Sequence, residues 1–497
     1  MNKAVINSPS ERTLNYIFWA FLIIHVLAWT LVPFFVRYTL PLDSMEGYVW
    51  GQQLQWGYDK NPFMNGWLTA LAVYWGGYSG WMIYFFSQLS VAFCFWGVWR
   101  LGKKILPPVY ALLGVLLLEA VQYYNFHAID FNDNTLELSL WALLSLCFYQ
   151  ALRGRTAKEI NWAWIGCGIF AGLCMMTKYY SVVLFAPMLL FFVLFKENYA
   201  ALKRPGFYLG VILFLAIITP HIVWLFSHDF VTITYAFDRV SSPPTLWNHI
   251  TYPWQFFYEQ FEAILPALLL ALILLLGKKP ALQKTLSLTR FDKTFLIIVG
   301  LGPFLCTALL SFLAGFKLRA GWGEPLFSLG GLLLIAYLQP RMTPTKLYSF
   351  VGILASLLLL ALGGYSKAFI DGKKPSSANF PGAVLARNLT HVWHERYHQA
   401  LPYVAGSRWL SGNIAFYSHD HPKVYINWNK KFSPWINESE LKEKGAIFIW
   451  GKDEPLPQDF KERFPNIEQQ QIVHLTWYRN KNLPPIEVNV AFLPPRS

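Results

Sequence analysis

Eleven apolar runs separated by short polar loops fill residues 14–362 of this 497-residue chain, and they leave it few folds to adopt. A bilayer core offers no water, so each backbone N–H and C=O there must be paired within its own segment. Apolar runs of ~18 residues or more therefore fold as spanning helices. The runs fall at 14–35, 81–101, 109–122, 136–152, 162–176, 180–195, 207–225, 261–276, 295–313, 326–338 and 347–362. Residues 65–78 are also apolar, but Gly, Trp and Tyr interrupt them, which suits a helix lying in the interface. Residues 1–13 are polar and the first run has no small-residue cleavage site, so it reads as a retained span rather than a signal peptide.

Charge fixes the orientation. Only 14% of residues are charged, where a soluble chain carries about a quarter. The net charge of +13 would suit a nucleic-acid partner if it were spread over one surface. Instead the basic residues sit in short clusters between apolar runs, which excludes that class and sets topology. One set of loops carries Arg100, Lys103, Lys104, Arg153, Arg155, Lys158, Lys196, Lys203, Arg204, Lys278, Lys279, Lys284, Arg290, Lys293, Arg341 and Lys346. The opposite set carries Arg37, Lys60, Lys178, Arg239, Lys317 and Arg319. Sixteen against six places the first set and the N-terminus in the cytoplasm. An odd number of spans then puts residues 366–497 outside.

The division is a membrane core at 1–365, with an outward first loop at 36–80, and a small α/β region at 366–497. The second part alternates β-like runs (413–417, 424–427, 446–450, 472–478 and 486–492) with polar, helix-permissive stretches. Its ~130 residues are enough to bury a core. All five cysteines, Cys94, Cys147, Cys167, Cys174 and Cys306, lie within apolar runs without a CxxC pair, which argues against disulfides and cysteine-held zinc.

The outside loops hold the unusual acids. In LPLDSMEGYVWGQQLQWGYDKNPFMNGWL, Asp43 and Glu46 stand three apart, one face of a helix, followed by Tyr58 and Lys60. The plainer reading makes Asp43 a helix cap and leaves Glu46 in water. In YYNFHAIDFNDNTLELSLWALL, Asp130, Asn132 and Asp133 cluster where a span emerges, suited to sugar hydroxyls, to capping, or weakly to a divalent cation. Lys178 and Tyr179 separate two spans, and a lysine there either neutralises a lipid phosphate or snorkels as an interfacial anchor. His221, Arg239, Lys317, Arg319 and Trp322 lie on the same side. Several cations converging on one face with acids between them suit an anionic substrate.

These loops resemble those of the family 39-like glycosyltransferases, which include protein O-mannosyltransferases and the aminoarabinose transferase that modifies lipid A. The likeness runs through LDSMEGYVWGQQLQWGYDKNPFMNGWL, FHAIDFNDNTLELSLWALL, GLCMMTKYYSVVL, PHIVWLFSHDF and LRAGWGEPLFSLGGLLL, and on to AGSRWLSGNIAFYSHDHPKVYIN of bacterial members. Where the family has adjacent Asp and Glu, this chain has Met45 before Glu46 and its Asp at 43; where it has Lys-Pro-Pro, this chain has Lys60-Asn61-Pro62.

The resemblance implies a C-type glycosyltransferase fold of about 11 transmembrane helices plus interfacial helices, in a bacterial inner membrane, with residues 366–497 in the periplasm. It implies a polyprenyl-phosphate (undecaprenyl-phosphate) sugar donor and an acceptor such as lipid A, another glycan or a lipid. A first-loop acid would be the base: either Asp43, which at the start of the interfacial helix can point toward an outward cavity, with Glu46 orienting it or binding the acceptor, or Glu46, with which the family's adjacent pair aligns more naturally. Lys60, Lys178, Arg239 and Arg319 would face the phosphate, and Tyr58, Asp130, Asn132, Asp133, Tyr179, His221 and Trp322 the sugar or acceptor. A hydroxyl of high pKa needs a positioned base, and a departing phosphate needs cations. Other classes remain: an oligosaccharide ligase, or a flippase for lipid-linked glycans. A transporter places charges near the bilayer midplane, whereas here they gather at the outer ends of spans.

Overall fold

The computed structural model describes residues 9–238, 245–275, 288–340, 342–457 and 459–496. Arg239, Lys278, Lys279, Lys284 and Arg341, all used in the charge and site arguments above, lie outside the described residues.

The chain begins with α1 (Glu11–Val36) and two short loop helices, α2 (Leu42–Gly51) and α3 (Met64–Gly76). Next come α4 (Trp81–Ile105), α5 (Pro108–Leu118), α6 (Asp133–Arg153), α7 (Ala157–Thr177), α8 (Val182–Leu194) and α9 (Pro205–Phe226). The core ends with α10 (Val231–Asp238), α11 (Asn248–Ile273), α12 (Arg290–Ala314), α13 (Gly330–Leu338) and α14 (Pro344–Ile370). Hydroxyl caps start several spans: Ser10, Thr156, Thr289 and Thr343 accept from the backbone N–H three residues on at α1, α7, α12 and α14.

Among the described residues, eight helices are long and apolar enough to cross a membrane as single rods. Three more spans form if each bent pair counts as one, which recovers the eleven runs. The bends are 80° after α5, 102° after α8 and 55° before α13. The chain is a multi-pass membrane protein. Its tightest helix pair, α7 with α9, is built on glycines. Gly168 and Gly172 on one helix and Gly206 and Gly210 on the other repeat every fourth residue, and a Cβ on Gly168 would meet the Gly210 carbonyl oxygen at 1.9 Å. Lipid tails give no hydrophobic drive between spans, so close backbone approach is what holds such a pair.

Beyond α14 the chain forms α15 (Gly382–Tyr397), β1 (Tyr403–Gly406), α16 (Arg408–Tyr417), β2 (Lys423–Ile426) and α17 (Glu438–Lys444). It closes with β3 (Ala446–Gly451), α18 (Phe460–Arg463), β4 (Gln471–Leu475) and β5 (Ile486–Leu493). The sheet order is β2-β1-β3-β5-β4, with β1 parallel to β2 and β3, and β5 antiparallel to β3 and β4. Four of the five expected strands are present. Residues 413–417 instead close α16: Ser407 accepts from Leu410 N at 3.3 Å, and the buried residues continue helically through Ile414 and Ala415. The five cysteines are unpaired.

The C-terminal region and the first loop share one apolar cluster. Met45, Tyr48, Val49 and Trp50 of α2 belong to the same core as Leu410, Ile414 and Phe416 of α16 and Val424 of β2. Gly412 permits the approach, because a Cβ there would lie 2.8 Å from the Met45 side chain. Tyr48 donates to Ala415 O at 3.1 Å, while Gln52 donates to Pro422 O at 2.9 Å and accepts from Val424 N at 3.1 Å.

Candidate active site

The first loop turns back on itself between α2 and α3. Tyr58 N donates to Asn61 O at 2.9 Å and an antiparallel bridge joins Gly57 to Pro62, so Asp59 and Lys60 form the tip of a tight turn. Gly57 is required there, since a Cβ would sit 2.6 Å from the Trp224 ring and 2.8 Å from the His221 ring. His221 pins the turn to α9: its Nδ1 lies 2.7 Å from Trp56 O, and its Nε2 is bonded to the Tyr179 hydroxyl. With the carbonyl as acceptor, Nδ1 carries a proton. Tyr58 is only 1% exposed, stacks on Trp50 and donates to Gln53 O. Its hydroxyl and ring are spent on loop packing.

Three charged groups meet over α2. Lys60 Nζ lies 2.6 Å from Glu46 Oε1, and Arg408 Nε lies 2.7 Å from the same oxygen. The Arg408 guanidinium also bonds Asp59, whose other oxygen accepts from Trp50 Nε1 at 3.2 Å. Burial pushes the Asp59 carboxyl up to about 6 against the opposing charge of Arg408. Asp59 and Arg408 were absent from the sequence-derived site. Asp59 stood beside Lys60 in the loop, whereas no spacing could signal that a residue of α16 returns to residue 46.

Asp43 lies on the same helix face. Its backbone N–H and that of Ser44 donate to Asp130 at 3.2 and 2.7 Å, and the Ser44 hydroxyl adds a third bond at 2.8 Å. Asp130 therefore caps α2 from another segment, the role that the plainer reading of the sequence gave to Asp43. The capping residue of α2 itself is Pro41, which has no side chain to offer. Asn132 caps α6 through Thr135 N at 3.1 Å and donates to Asp43 Oδ2 at 3.2 Å. Asp133 accepts from Asn61 at 2.5 Å, and its second oxygen is buried without a hydrogen-bond partner. Burial raises the Asp43 carboxyl to about 7, reinforced by Asp130 and Glu46 and opposed by Lys60 and Asn132. A carboxyl poised there is half ionised near neutrality and can take a proton.

Lys178 lies deeper. It bonds Asn134, sits 5.4 Å from the Trp322 ring and 5.6 Å from the Tyr180 ring, and interacts electrostatically with Asp133, Glu137 and Glu324. Glu137 and Glu324 are fully buried, and each leaves one carboxylate oxygen without a hydrogen-bond partner. Arg319 is exposed beside this cluster, with no ion pair among the described residues. The structure thus gathers Asp43, Glu46, Lys60, Asp130, Asn132 and Asp133 at the first loop, and Lys178 and Trp322 next to them. Among the described residues no group of three or more His, Cys, Asp or Glu side chains is arranged to hold a metal ion.

The model of the dolichyl-phosphate-mannose-protein mannosyltransferase family matches residues 60–224, from the turn lysine to the end of α9. No curated protein matches the sequence. Among solved structures, the chain is similar to ArnT from Cupriavidus metallidurans bound to undecaprenyl phosphate, with TM-score 0.62, 12% identity, and 97% of this chain and 98% of that one covered. The apo state of the same protein gives TM-score 0.56 at the same identity and coverage. The arabinofuranosyltransferase AftD from Mycobacteria gives TM-score 0.52 at 13% identity, covering 100% of this chain and 41% of that one. The family segment crosses the central spans, and over nearly its whole length the chain has the C-type fold of membrane glycosyltransferases.

Proposed function

We propose that this enzyme transfers a sugar from a polyprenyl-phosphate donor to a hydroxyl of a lipid or glycan acceptor on the periplasmic face of a bacterial inner membrane. One observation carries the reading: Asp43 shares a helix face with Glu46, and Lys60 at the turn tip reaches that face. The acceptor oxygen attacks the anomeric carbon in line, Asp43 takes its proton, and the anomeric C–O bond breaks with its electron pair leaving on the lipid phosphate. Lys60 meets the charge that develops on that phosphate. One carboxylate acting as base suffices for this inverting displacement.

Lys178 suits the phosphate less well than Lys60, because Asp133, Glu137 and Glu324 already share its charge. Its surroundings of carboxylates and the Trp322 ring suit a polyhydroxylated ring. An apolar cavity of about 470 Å³, lined by Leu117, Ile264, Leu301, Phe327 and Leu334, offers the chemistry a prenyl chain needs. The undecaprenyl phosphate bound by ArnT supports a donor of this class. The charge pattern supports a cytoplasmic N-terminus and a periplasmic region after α14.

Purified protein in liposomes, supplied with radiolabelled undecaprenyl-phosphate sugars and lipid A or a membrane lipid extract, should label the acceptor. Asp43→Asn should not, while still binding donor. Absence of transfer from every polyprenyl-phosphate sugar, or full transfer by Asp43→Asn, would overturn the reading.

A further inference from the structure

The C-terminal region reaches the catalytic loop with a single cation, and the geometry there goes beyond packing. Arg408 is the first residue of α16, and its guanidinium spans two carboxylates, Glu46 on α2 and Asp59 on the turn. Its side chain is only 16% exposed, and Asp59 is 3% exposed. Glu46 Oε1 has two cations within 2.7 Å, Arg408 and Lys60, where one would satisfy an ion pair. Lys60 differs from Arg408 in kind: its ammonium is a mobile point charge, whereas the planar fork of an arginine holds two acceptors in fixed geometry. If the two were interchangeable, a phosphate arriving at Lys60 would strip Glu46 of its partner and leave a buried carboxylate uncompensated.

We propose that Arg408 is a positioning residue for the transfer reaction: it holds Glu46 and Asp59 in place as ion pairs, so that Lys60 is free to leave Glu46 for the donor phosphate. The inference rests on the donor reading above. It makes the region after α14 part of the catalytic assembly, anchored by Tyr48 and Gln52 and contributing one charge to the site. The same placement reaches Asp43 through Glu46. Asp43 faces Glu46 on its own helix, Lys60 on the turn, Asp130 and Asn132 from the segment before α6, and more distantly Asp133 and Glu324. A less compensated Glu46 would hold the Asp43 proton more tightly.

The test measures five variants in liposomes, Arg408→Gln, Arg408→Lys, Glu46→Gln, Glu46→Gln with Arg408→Gln, and Gln52→Ala. Readouts are the donor KM, kcat, the pH profile of kcat/KM, binding of sugar-free undecaprenyl phosphate, and melting temperature. Arg408→Gln should raise donor KM and weaken undecaprenyl-phosphate binding at least tenfold, because Lys60 stays on Glu46, and should move the acid limb of the profile upward. Arg408→Lys should fall between this variant and wild type, since one ammonium cannot bridge both carboxylates. In the Glu46→Gln background the loss on removing Arg408 should shrink several-fold. Gln52→Ala loosens the same contact without touching a charge, and should lower the melting temperature while leaving KM and the pH profile in place. If Arg408→Gln or Arg408→Lys lowers only the melting temperature, or Gln52→Ala reproduces their KM change, Arg408 is structural and the inference is wrong. Should wild type itself neither bind undecaprenyl phosphate nor transfer sugar from it, the donor reading fails and this inference with it.

Discussion

Removing the basicity of Asp43 while keeping its shape tests the mechanism most directly. The carboxyl stands at about 7, so at pH 7 roughly half of the molecules carry the base, at pH 6 about a tenth and at pH 5 about a hundredth. The kcat/KM for transfer should therefore fall about tenfold per pH unit below 7 and level off above it. An ordinary aspartate would place that limb near 4. Asp43→Asn keeps the Asn132 contact available but cannot accept a proton, so it should lose ~10²- to 10⁴-fold in rate and the acid limb with it. Glu46→Gln removes a charge that raises the Asp43 carboxyl, so the limb should move down; Lys60→Met removes one that lowers it, so the limb should move up.

Stability should follow the same group with a definite sign. The folded state keeps a proton on Asp43 that the unfolded chain releases between about 4 and 7. Its contribution is thus present at acid pH and lost as the pH rises through 7. Asp43→Asn should melt higher than wild type at pH 8, with the advantage shrinking toward pH 5. A wild-type profile flat between pH 5 and 8, or an Asp43→Asn protein with most of its activity, would refute the assignment of the base. In the second case, with Glu46→Gln inactive, the two carboxylates exchange roles.

Three other outcomes are expected. Gly168→Ala should cost ~1–3 kcal/mol or more, read as thermal melting in detergent, because its Cβ meets the Gly210 carbonyl oxygen at 1.9 Å; an unchanged melting point would mean α7 and α9 do not pack this way. Lys178→Met takes away the Asn134 hydrogen bond and a cation that acts on Asp133, Glu137 and Glu324, so stability should drop by about 1–3 kcal/mol while undecaprenyl-phosphate affinity changes little; the reverse pattern would return Lys178 to the phosphate. A reporter active only outside the cytoplasm should work when fused after residue 497, and one working only inside would invert the orientation read from the sixteen-to-six charge bias.

The parts of this fold legible in the sequence are those set by local rules. Bilayer thickness makes each span announce itself as an apolar run, 13 to 22 residues long here, so eleven runs could be counted. Three of them bend by 55° or more, which composition alone does not reveal. The carboxylates at 43, 46, 130 and 133 could be singled out because acids at span ends are few in a chain with 14% charged residues. Their roles were harder to read, because capping and catalysis draw on the same residue types. Only the contact from Asp130 to the N–H groups of residues 43 and 44 separates the cap from the base, and that contact joins residues 87 apart.

What stayed hidden is the joining of distant segments. Residues 413–417 read as a strand because Ile, Ala, Phe and Tyr follow one another, yet tertiary packing overrides that preference. A helix starting at Ser407 puts Leu410 and Ile414 into one core with Met45 and Val49, which a short strand at 413–417 would not do. The same choice of helix over strand places Arg408 at its first turn, beside Glu46 and Asp59. Had 413–417 extended the sheet, no cation from this region would reach the loop, and Lys60 would be the only one seen at Glu46. The secondary structure of α16 and the charge balance of the first loop are therefore one decision, made by the burial of α2.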